Sequence, residues 1–441
     1  MENKLFDSYK DESPEILDLL NDAWKNPGKP ILKLDELINE IPYKRNFIST
    51  KYRPSIHIGQ RKLFMNELQF LNNHIKFVNT KQRRHYFVIY AGGSPGHHMY
   101  ELSRYYPNVT FIVIDPSRHQ SYISDSLVVL GTGCNYRRLI YYDTENQYMH
   151  DLLNIDSLRN LLLADYRIFI VEDYCSSELL LKIKTELPED AVIYLWSDIR
   201  TDNAEAGKFG KDVHEFRDHI RRQHDPEFKK EQSVTDGDIL WNLAMQYTWL
   251  KALEPDACMF KFRLPFYNND INNLKKFMQD NPSDFELTSE LNHVEMYSKK
   301  AILYPKGKIY LQPWQGVSST ESRLVVKKKN IHTLIEYDAV KYEAKFTYYN
   351  LMERVVRKHN NGKEYYKFGY CECNDCSIEI DTIKNYINKS ENKGYILEEF
   401  VIPKYFYDHK IIGNICIRLN CLLGTKIEGA NEHGINRFSV D

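Results

Sequence analysis

The sequence has no run of apolar residues approaching the roughly 18 needed to cross a bilayer, so nothing in it reads as a membrane span. Its opening, MENKLFDSYKDESPEILDLL, lacks a basic stretch followed by an apolar one, and no secretory signal is expected there. Cysteine is sparse. Cys134, Cys175, Cys258, Cys371, Cys373, Cys376, Cys416 and Cys421 are too few in 441 residues for a disulfide framework, and a reducing, intracellular setting is expected. Neither sign of charge is in excess: 59 Lys+Arg against 61 Asp+Glu leave a formal net charge of −2. That excludes a wholly basic nucleic-acid coat but not a local basic channel, because net charge says nothing about distribution. No internal repeat is present, and no Ser-His-Asp, HExxH or phosphate-loop pattern. Abundant, by contrast, are rings: 32 Tyr and 21 Phe, which can build a core or stack on bases.

Patterning predicts an α/β chain in three parts: an arm over 1–45, a main body over 46–360 and an extension over 361–441. In the arm, Ser13 before Pro14 and Glu15 is a good helix start, and NPGKP at 26–30 is a stop. From Ile58, IGQRKLFMNELQFLNN carries Leu63, Phe64, Leu68 and Leu71 at helical spacing. HYFVIYAGG then reads as a buried strand ending in a glycine turn, HHMYELSRYY as a helix, and NVTFIVID as a second strand. RRLIYYD, RIFIVED and AVIYLWSD are three more short apolar runs, each stopping at a polar or acidic residue. Strands that alternate with helices and stop at acids predict a mostly parallel, doubly wound sheet, which binds ligands at its carboxyl edge. A charged stretch over 199–234 is expected to be a surface excursion. DGDILWNLAMQYTWLKAL is a helix, and DAVKYEAKFTYYNLMERVVRKH a long one. CMFKFRLPF, KAILYP, KIYLQPW and SRLVVKKKN are expected to be strands that join the same sheet antiparallel.

Several motifs could carry chemistry. YAGGSPGHH, Tyr90 to His98, follows a strand and opens a helix; Gly92, Gly93 and Gly96 permit a tight turn and a close ligand. Asp115 ends the next strand, where an acid can hydrogen-bond ribose hydroxyls. Strand, glycines, helix and acid together point to an adenosine-type cofactor. Lys62, Asp198, Lys261 and Glu321 fall where predicted elements reach one face of the sheet. Two lysines flanked by two acids can form a base site, since burial and a second cation favour a neutral amine; surface ion pairs are the plainer alternative. In YCECNDC, Cys373-x-x-Cys376 has metal-ligand spacing and Cys371 is a third thiol, but no second close pair completes four ligands, and no metal is expected. Basic segments at 80–85, 136–137, 221–222 and 327–329 are solvated faces, or a phosphate track if they share one side.

The ordered motifs GQRKLFMNELQFL, YAGGSPGHH, VID, LWSDIR, KFRLPF, LQPW, STESRL and DAVKYEAKFTYYN make the chain resemble a known family over roughly residues 56–360. The family is the poxvirus cap-specific mRNA 2′-O-methyltransferases that double as the small, stimulatory subunit of poly(A) polymerase, with relatives in other large cytoplasmic DNA viruses. The resemblance implies a Rossmann-like methyltransferase fold. It also implies S-adenosyl-L-methionine as cofactor and methylation of the ribose 2′-hydroxyl of the first transcribed nucleotide of capped mRNA. It implies a Lys-Asp-Lys-Glu tetrad at Lys62, Asp198, Lys261 and Glu321, with Lys261 as base, Asp198 orienting it, Lys62 favouring its neutral form and Glu321 completing the hydrogen bonds. Asp173 of IVEDYC is a rival for the tetrad acid, and Asp198 is preferred because Ile199 and Arg200 follow it as in the family. The cofactor would be held by Gln60, Tyr90, Gly92, Gly96, Asp115 and Arg118. Phe266 and Glu343 match the cap pocket; Asn268 stands where the family has an acid and Ser318 where it has a stacking Tyr, with Trp314 as a nearby substitute ring. Arg263 and Arg323, flanking Lys261 and Glu321, are the candidates for an RNA track. Implied partners are capped mRNA and a poly(A) polymerase catalytic subunit, and the implied location is the host cytoplasm or the virion, with no membrane association.

Overall fold

The structure, a computed structural model, describes residues 13–42, 59–75, 86–93, 96, 98–115, 127–131, 139–142, 147–150, 153–154, 158–163, 167–171, 173–199, 236–265, 301–315, 319–359 and 372–389. Along the chain its elements are α1 (Pro14–Lys25), α2 (Gly59–His74), β1 (Tyr86–Ala91), α3 (Met99–Tyr105), β2 (Val109–Ile114), β3 (Leu127–Gly131), β4 (Leu139–Tyr142), β5 (Gln147–His150) and β6 (Leu153–Asn154). There follow α4 (Leu158–Leu163), β7 (Ile168–Val171), α5 (Ser177–Glu186), β8 (Val192–Ser197), α6 (Asp236–Leu253) and β9 (Ala257–Phe262). The last are β10 (Ala301–Pro305), β11 (Lys308–Tyr310), β12 (Ser322–Lys327), β13 (Leu334–Asp338), α7 (Ala339–Tyr348) and α8 (Asn374–Lys389), with a π-helical stretch, Tyr349–Val356, continuing α7.

The described residues divide into two compact units, one drawn from 1–83, 308–323 and 343–441, the other from 84–307 and 324–342. The expected arm, body and extension are cuts along the chain; the first unit draws on all three.

The second unit is built on a sheet in which β9, β8, β1, β2, β7, β3 and β6 lie side by side in that order, each parallel to its neighbour. This is the parallel, Rossmann-like arrangement expected. Its central strands bury every residue of YFVIYA and of IFIV, which is why they read as unbroken apolar runs rather than alternating ones. Strand order reverses at β1, which has β2 on one side and β8 on the other. At such a switch point the helices leave to opposite faces and open a crevice at the carboxyl ends.

Of the four runs expected to join this sheet antiparallel, SRLVVK does join it, as β12 beside β9; two others differ. β9 is parallel to β8, and β10 pairs with β13 in a separate two-stranded sheet, from Ala301↔Asp338 to Pro305↔Leu334. Both strands of that pair are only half buried, which suits a two-stranded ribbon rather than a central position. Pro305, without an N–H, suits its end. β4 and β5 form another antiparallel pair.

In the first unit, α1 buries Ile16, Leu20 and Ala23, the stripe of a helix resting on one face, and it stops before Pro27 and Gly28 as the sequence indicates. Arg357 holds it from the π-helical stretch: Nη2 donates to Asp22 Oδ2 and Nη1 to Asn26 O, both at 2.8 Å, while Nε donates to Glu353 Oε1 at 3.0 Å. α8 lies against α2, where Asn72 Nδ2 donates to Thr382 O at 2.9 Å and Lys389 Nζ to Asn72 O.

Candidate functional site

Three of the strands, β1, β2 and β8, end within one residue of each other across the sheet, and β9 carries Lys261 at the same level, one residue before its end. Register carries this across the sheet: Phe260 pairs with Ser197, Ser197 with Ala91, and Ala91 with Ile114. The next residue of each strand therefore falls on one further rung, in the order Lys261, Asp198, Gly92, Asp115. Backbone bonds hold that rung: Asp198 N donates to Ala91 O at 3.0 Å, Gly92 N to Ile114 O at 2.9 Å and Asp115 N to Val171 O at 3.1 Å. With strands spaced about 4.8 Å apart, Asp198 and Asp115 stand about 10 Å from each other on either side of Gly92.

Gly92 has φ +78°, and Gly96 has φ +64°, conformations that disfavour a side chain. A Cβ on Gly92 would also lie 2.8 Å from the Ile199 backbone nitrogen. The turn after β1 is thus a bare-backbone floor at the switch point, and Met99 N donates to Gly96 O at 3.0 Å as α3 begins. Asp115 is 7 % exposed. A glycine floor, an acid at the next strand end and a crevice between them fit an adenosine-bearing cofactor, whose ribose hydroxyls would meet Asp115. Tyr90 is buried under this turn, its ring edge-on to Trp196 at 5.5 Å. Gln60 lies in the first turn of α2, in the first unit. Arg118 lies outside the described residues.

Across the rung, Lys261 Nζ stands 3.2 Å from Asp198 Oδ1, both side chains about one-sixth exposed or less. Gln246 of α6 donates from Nε2 to Lys261 O at 3.1 Å and fixes the strand end. Beside it Phe262 packs in a ring cluster with Tyr304, Tyr337 and Tyr342, and Tyr342 Oη donates to Phe262 O at 3.2 Å. Burial pushes the Tyr337 phenol up to about 12, so it remains a neutral donor to Pro305 O. Asp173 is placed differently: it follows β7, beyond β2, and accepts from Tyr174 N at 2.7 Å.

The other two tetrad positions are paired with each other in the first unit. Lys62 Nζ meets Glu321 Oε1 at 2.5 Å, and both residues are buried. Gln312 joins them, donating from Nε2 to Glu321 Oε1 at 3.1 Å and accepting through Oε1 from Asn66 Nδ2 at 2.8 Å and Arg323 Nε at 2.9 Å. The four tetrad residues are therefore two lysine–carboxylate pairs, one in each unit.

Of the two arginines expected beside the active site as an RNA track, Arg323 is 2 % exposed, bonded to Gln312 and 3.8 Å from Glu321, next to the Lys62–Glu321 pair. Trp314 is fully buried beneath Arg61 and cannot offer its face to a base. Arg263 is half buried just past Lys261, and Glu343 is buried on α7. Phe266, Asn268 and Ser318 lie outside the described residues, as do the basic segments at 80–85, 136–137 and 221–222. Lys327, Lys328 and Lys329 are exposed, Lys328 being 3.9 Å from Asp256. Among the described residues no group of His, Cys, Asp and Glu could hold a metal ion, and no helix is long and apolar enough to cross a membrane. Cys373 Sγ accepts from Cys376 N at 3.4 Å, a turn-opening role at α8; Cys371 lies outside the described residues.

Residues the sequence did not single out include Gln312, Asn66, Arg61 and Glu379, the last two forming a fully buried ion pair with Nη2–Oε1 at 2.6 Å. A buried polar residue one helical turn from Lys62, as Asn66 is, was the available signal.

A family model described as Poly A polymerase regulatory subunit matches residues 26–182 and 218–402. A cap-specific mRNA (nucleoside-2′-O-)-methyltransferase of Myxoma virus (strain Lausanne) is 22 % identical over 351 residues, covering 77 % of this chain and 75 % of the relative. A protein of the same name from Fowlpox virus (strain NVSL) is 23 % identical over 396 residues, covering 87 % of this chain and 91 % of the relative.

Proposed function

The chain belongs to the Poly A polymerase regulatory subunit family, and we propose that it methylates the ribose 2′-hydroxyl of the first transcribed nucleotide of capped mRNA, converting cap 0 to cap 1. The observation that carries this reading is the shared rung at the carboxyl edge of the sheet, with the Lys261–Asp198 pair on one side of Gly92 and Asp115 on the other. When bound, S-adenosylmethionine supplies the methyl group. Asp115 accepts from its ribose hydroxyls, and the turn at Gly92 and Gly96 leaves room for it, with Tyr90, Gln60 and Arg118 as further holders. Asp198 holds the Lys261 amine in place, and Lys261 Nζ takes the proton from the 2′-hydroxyl as the ribose oxygen becomes a nucleophile. Lys62 and Glu321 complete the tetrad implied by the resemblance, Glu321 and Gln312 together fixing the amine. Alignment of hydroxyl and methyl is the main source of rate in such a reaction. Phe266 and Glu343 read the cap, and Arg263 contacts RNA phosphate.

The relatives named as methyltransferases support the activity, and the family to which the chain belongs supports a second role. In that role the chain binds RNA as a stimulatory partner of a poly(A) polymerase catalytic subunit. The exposed Lys327–Lys329 run favours a phosphate-contacting surface in either role. The test is methyl transfer from radiolabelled S-adenosylmethionine to short capped and uncapped RNA. Label on the 2′-oxygen of the first nucleotide of capped RNA is expected. Absence of label with tight RNA binding would leave the partner role alone.

A further inference from the structure

Glu379 of α8 belongs to neither tetrad pair. Its Oε2 accepts from Arg61 Nε at 2.7 Å and from Trp314 Nε1 at 2.6 Å, and its Oε1 accepts from Arg61 Nη2 at 2.6 Å. The Arg61 guanidinium also stacks on the Trp314 ring at 4.2 Å from its centre. All three residues are 0 % exposed.

What these residues adjoin gives the cluster its meaning. Arg61 directly precedes Lys62 on α2. Trp314 lies two residues beyond Gln312, whose side chain donates to Glu321. One carboxylate therefore ties the helix carrying Lys62 to the segment that orients Glu321. Trp314 has φ +61°, a left-handed backbone that an aromatic residue takes up only where its surroundings impose it. Its indole bond to Glu379 and the guanidinium over its ring are such constraints. A buried ion pair is by itself weak evidence of stability, since apolar side chains of similar volume often do as well; its better-attested use is to specify one geometry.

Resting on the reading of Lys62 and Glu321 given above, we propose that Glu379 is a positioning residue for methyl transfer. Through Arg61 and Trp314 it sets the register between Lys62 and Glu321, so that a helix outside the tetrad governs the geometry of one of its pairs.

The test uses the full chain with Arg61→Met and Glu379→Leu together, which leaves no buried charge without a partner. Melting temperature, kcat, and KM for S-adenosylmethionine and for capped RNA are measured beside the wild-type chain and Lys62→Ala. The expected result is a folded protein whose kcat is lower by about tenfold or more, the order of loss that misplacement of reacting groups brings, with the KM for S-adenosylmethionine unchanged. A folded double variant with wild-type kcat overturns the inference, as does a fall in kcat matched by a rise in the cofactor KM, which marks general loosening. If the double variant does not fold, Trp314→Phe carries the test; it removes the indole donor and part of the ring under Arg61, so its melting temperature and its KM for S-adenosylmethionine are read beside kcat, and a rise in that KM overturns the inference as above. A kcat lower by about threefold supports positioning, the size expected for one lost hydrogen bond, and a wild-type kcat overturns it. No transfer by the wild-type chain overturns the parent reading and this one with it; transfer by the wild type that the folded variants match overturns this one alone.

Discussion

Replacing Gly92 by alanine puts a methyl group where the ends of β1 and β8 meet. At φ +78° an L-residue costs about 1–2 kcal/mol from backbone sterics alone. The added carbon would stand 2.8 Å from Ile199 N and 3.0 Å from Asp198 C and Ile199 Cα, all backbone atoms with no rotamer to escape into. To reach ordinary contact at 3.4 Å, the Ile199 nitrogen must retreat by about 0.6 Å. That displacement falls on the residue after Asp198, the partner of Lys261. Melting temperature should fall by about 2–8 °C, given about 2–4 °C per kcal/mol for a unit of this size. Methyl transfer should fall by about tenfold or more, since about 1 Å of misplacement can cost two orders of magnitude. Gly28→Ala is the matched control. A Cβ there would also be crowded, 2.5 Å from Arg357 Cδ, and would disturb that side chain's bonds to Asp22, Asn26 and Glu353 within the first unit, none of which belongs to the rung. Gly28→Ala should lower stability slightly and leave transfer within about twofold, as expected for a residue that touches no reacting group. The assays are thermal melting and initial-rate methyl transfer on capped RNA. A Gly92→Ala chain with wild-type melting and wild-type transfer would refute the placement of the site at this rung.

Lys261→Ala should abolish methyl transfer while calorimetry finds S-adenosylmethionine binding nearly intact, and Lys261→Arg should fail equally, because a guanidinium does not give up its proton in a protein; normal turnover by either removes Lys261 as the base. Asp115→Ala should weaken S-adenosylmethionine binding by about 1–3 kcal/mol, the usual loss for one partner of a charged hydrogen bond, and unchanged affinity would move the cofactor elsewhere. Phe266→Ala should reduce the preference for capped over uncapped RNA, a preference expected to be modest given Asn268 and Ser318. Equal loss on both RNAs would misplace the cap pocket. Asp375→Asn should destabilise the fold by about 3–5 kcal/mol, because it leaves Arg354, bonded to Asp375 Oδ2 at 2.8 Å and fully buried, without its charge partner; urea unfolding at wild-type stability would contradict that.

The core of the parallel sheet was legible because its strands are buried on both faces. YFVIYA, IFIV and VIYLWS are apolar runs, and the glycine turn after the first and the polar residues ending the other two mark the carboxyl edge. KAILYP, the β10 strand, was assigned to the main sheet because strand propensity does not say which partner a strand joins, and its partner β13 was not singled out. LIEYD, with only Tyr337 buried, gives a weak signal. α8 escaped notice for a different reason: Asn374, Asp375, Ser377, Glu379 and Thr382 are buried among its isoleucines, so the helix shows no clean polar face. Local pattern could not have found the Arg61–Glu379 pair, whose members are 318 positions apart. A tryptophan close to a cap-pocket motif reads as a stacking ring. That Trp314 is interior depends on its positive φ and on Arg61, neither of which is visible in sequence.

The wide separation of Arg61 and Glu379 bears on how the polypeptide is made. As the chain leaves the ribosome, every strand of the parallel sheet has been synthesised by residue 262, and the second unit's last segment by residue 342. The first unit must wait for α8. Until residue 379 emerges, Arg61 has no carboxylate to receive it, and a guanidinium cannot be buried alone without a cost of several kcal/mol. Sheet first and tetrad support last is thus the order that translation imposes. A product cut off before α8 is expected to keep its parallel sheet, leave Lys62 and Glu321 unset, and expose an apolar α2 face to aggregation or to chaperones.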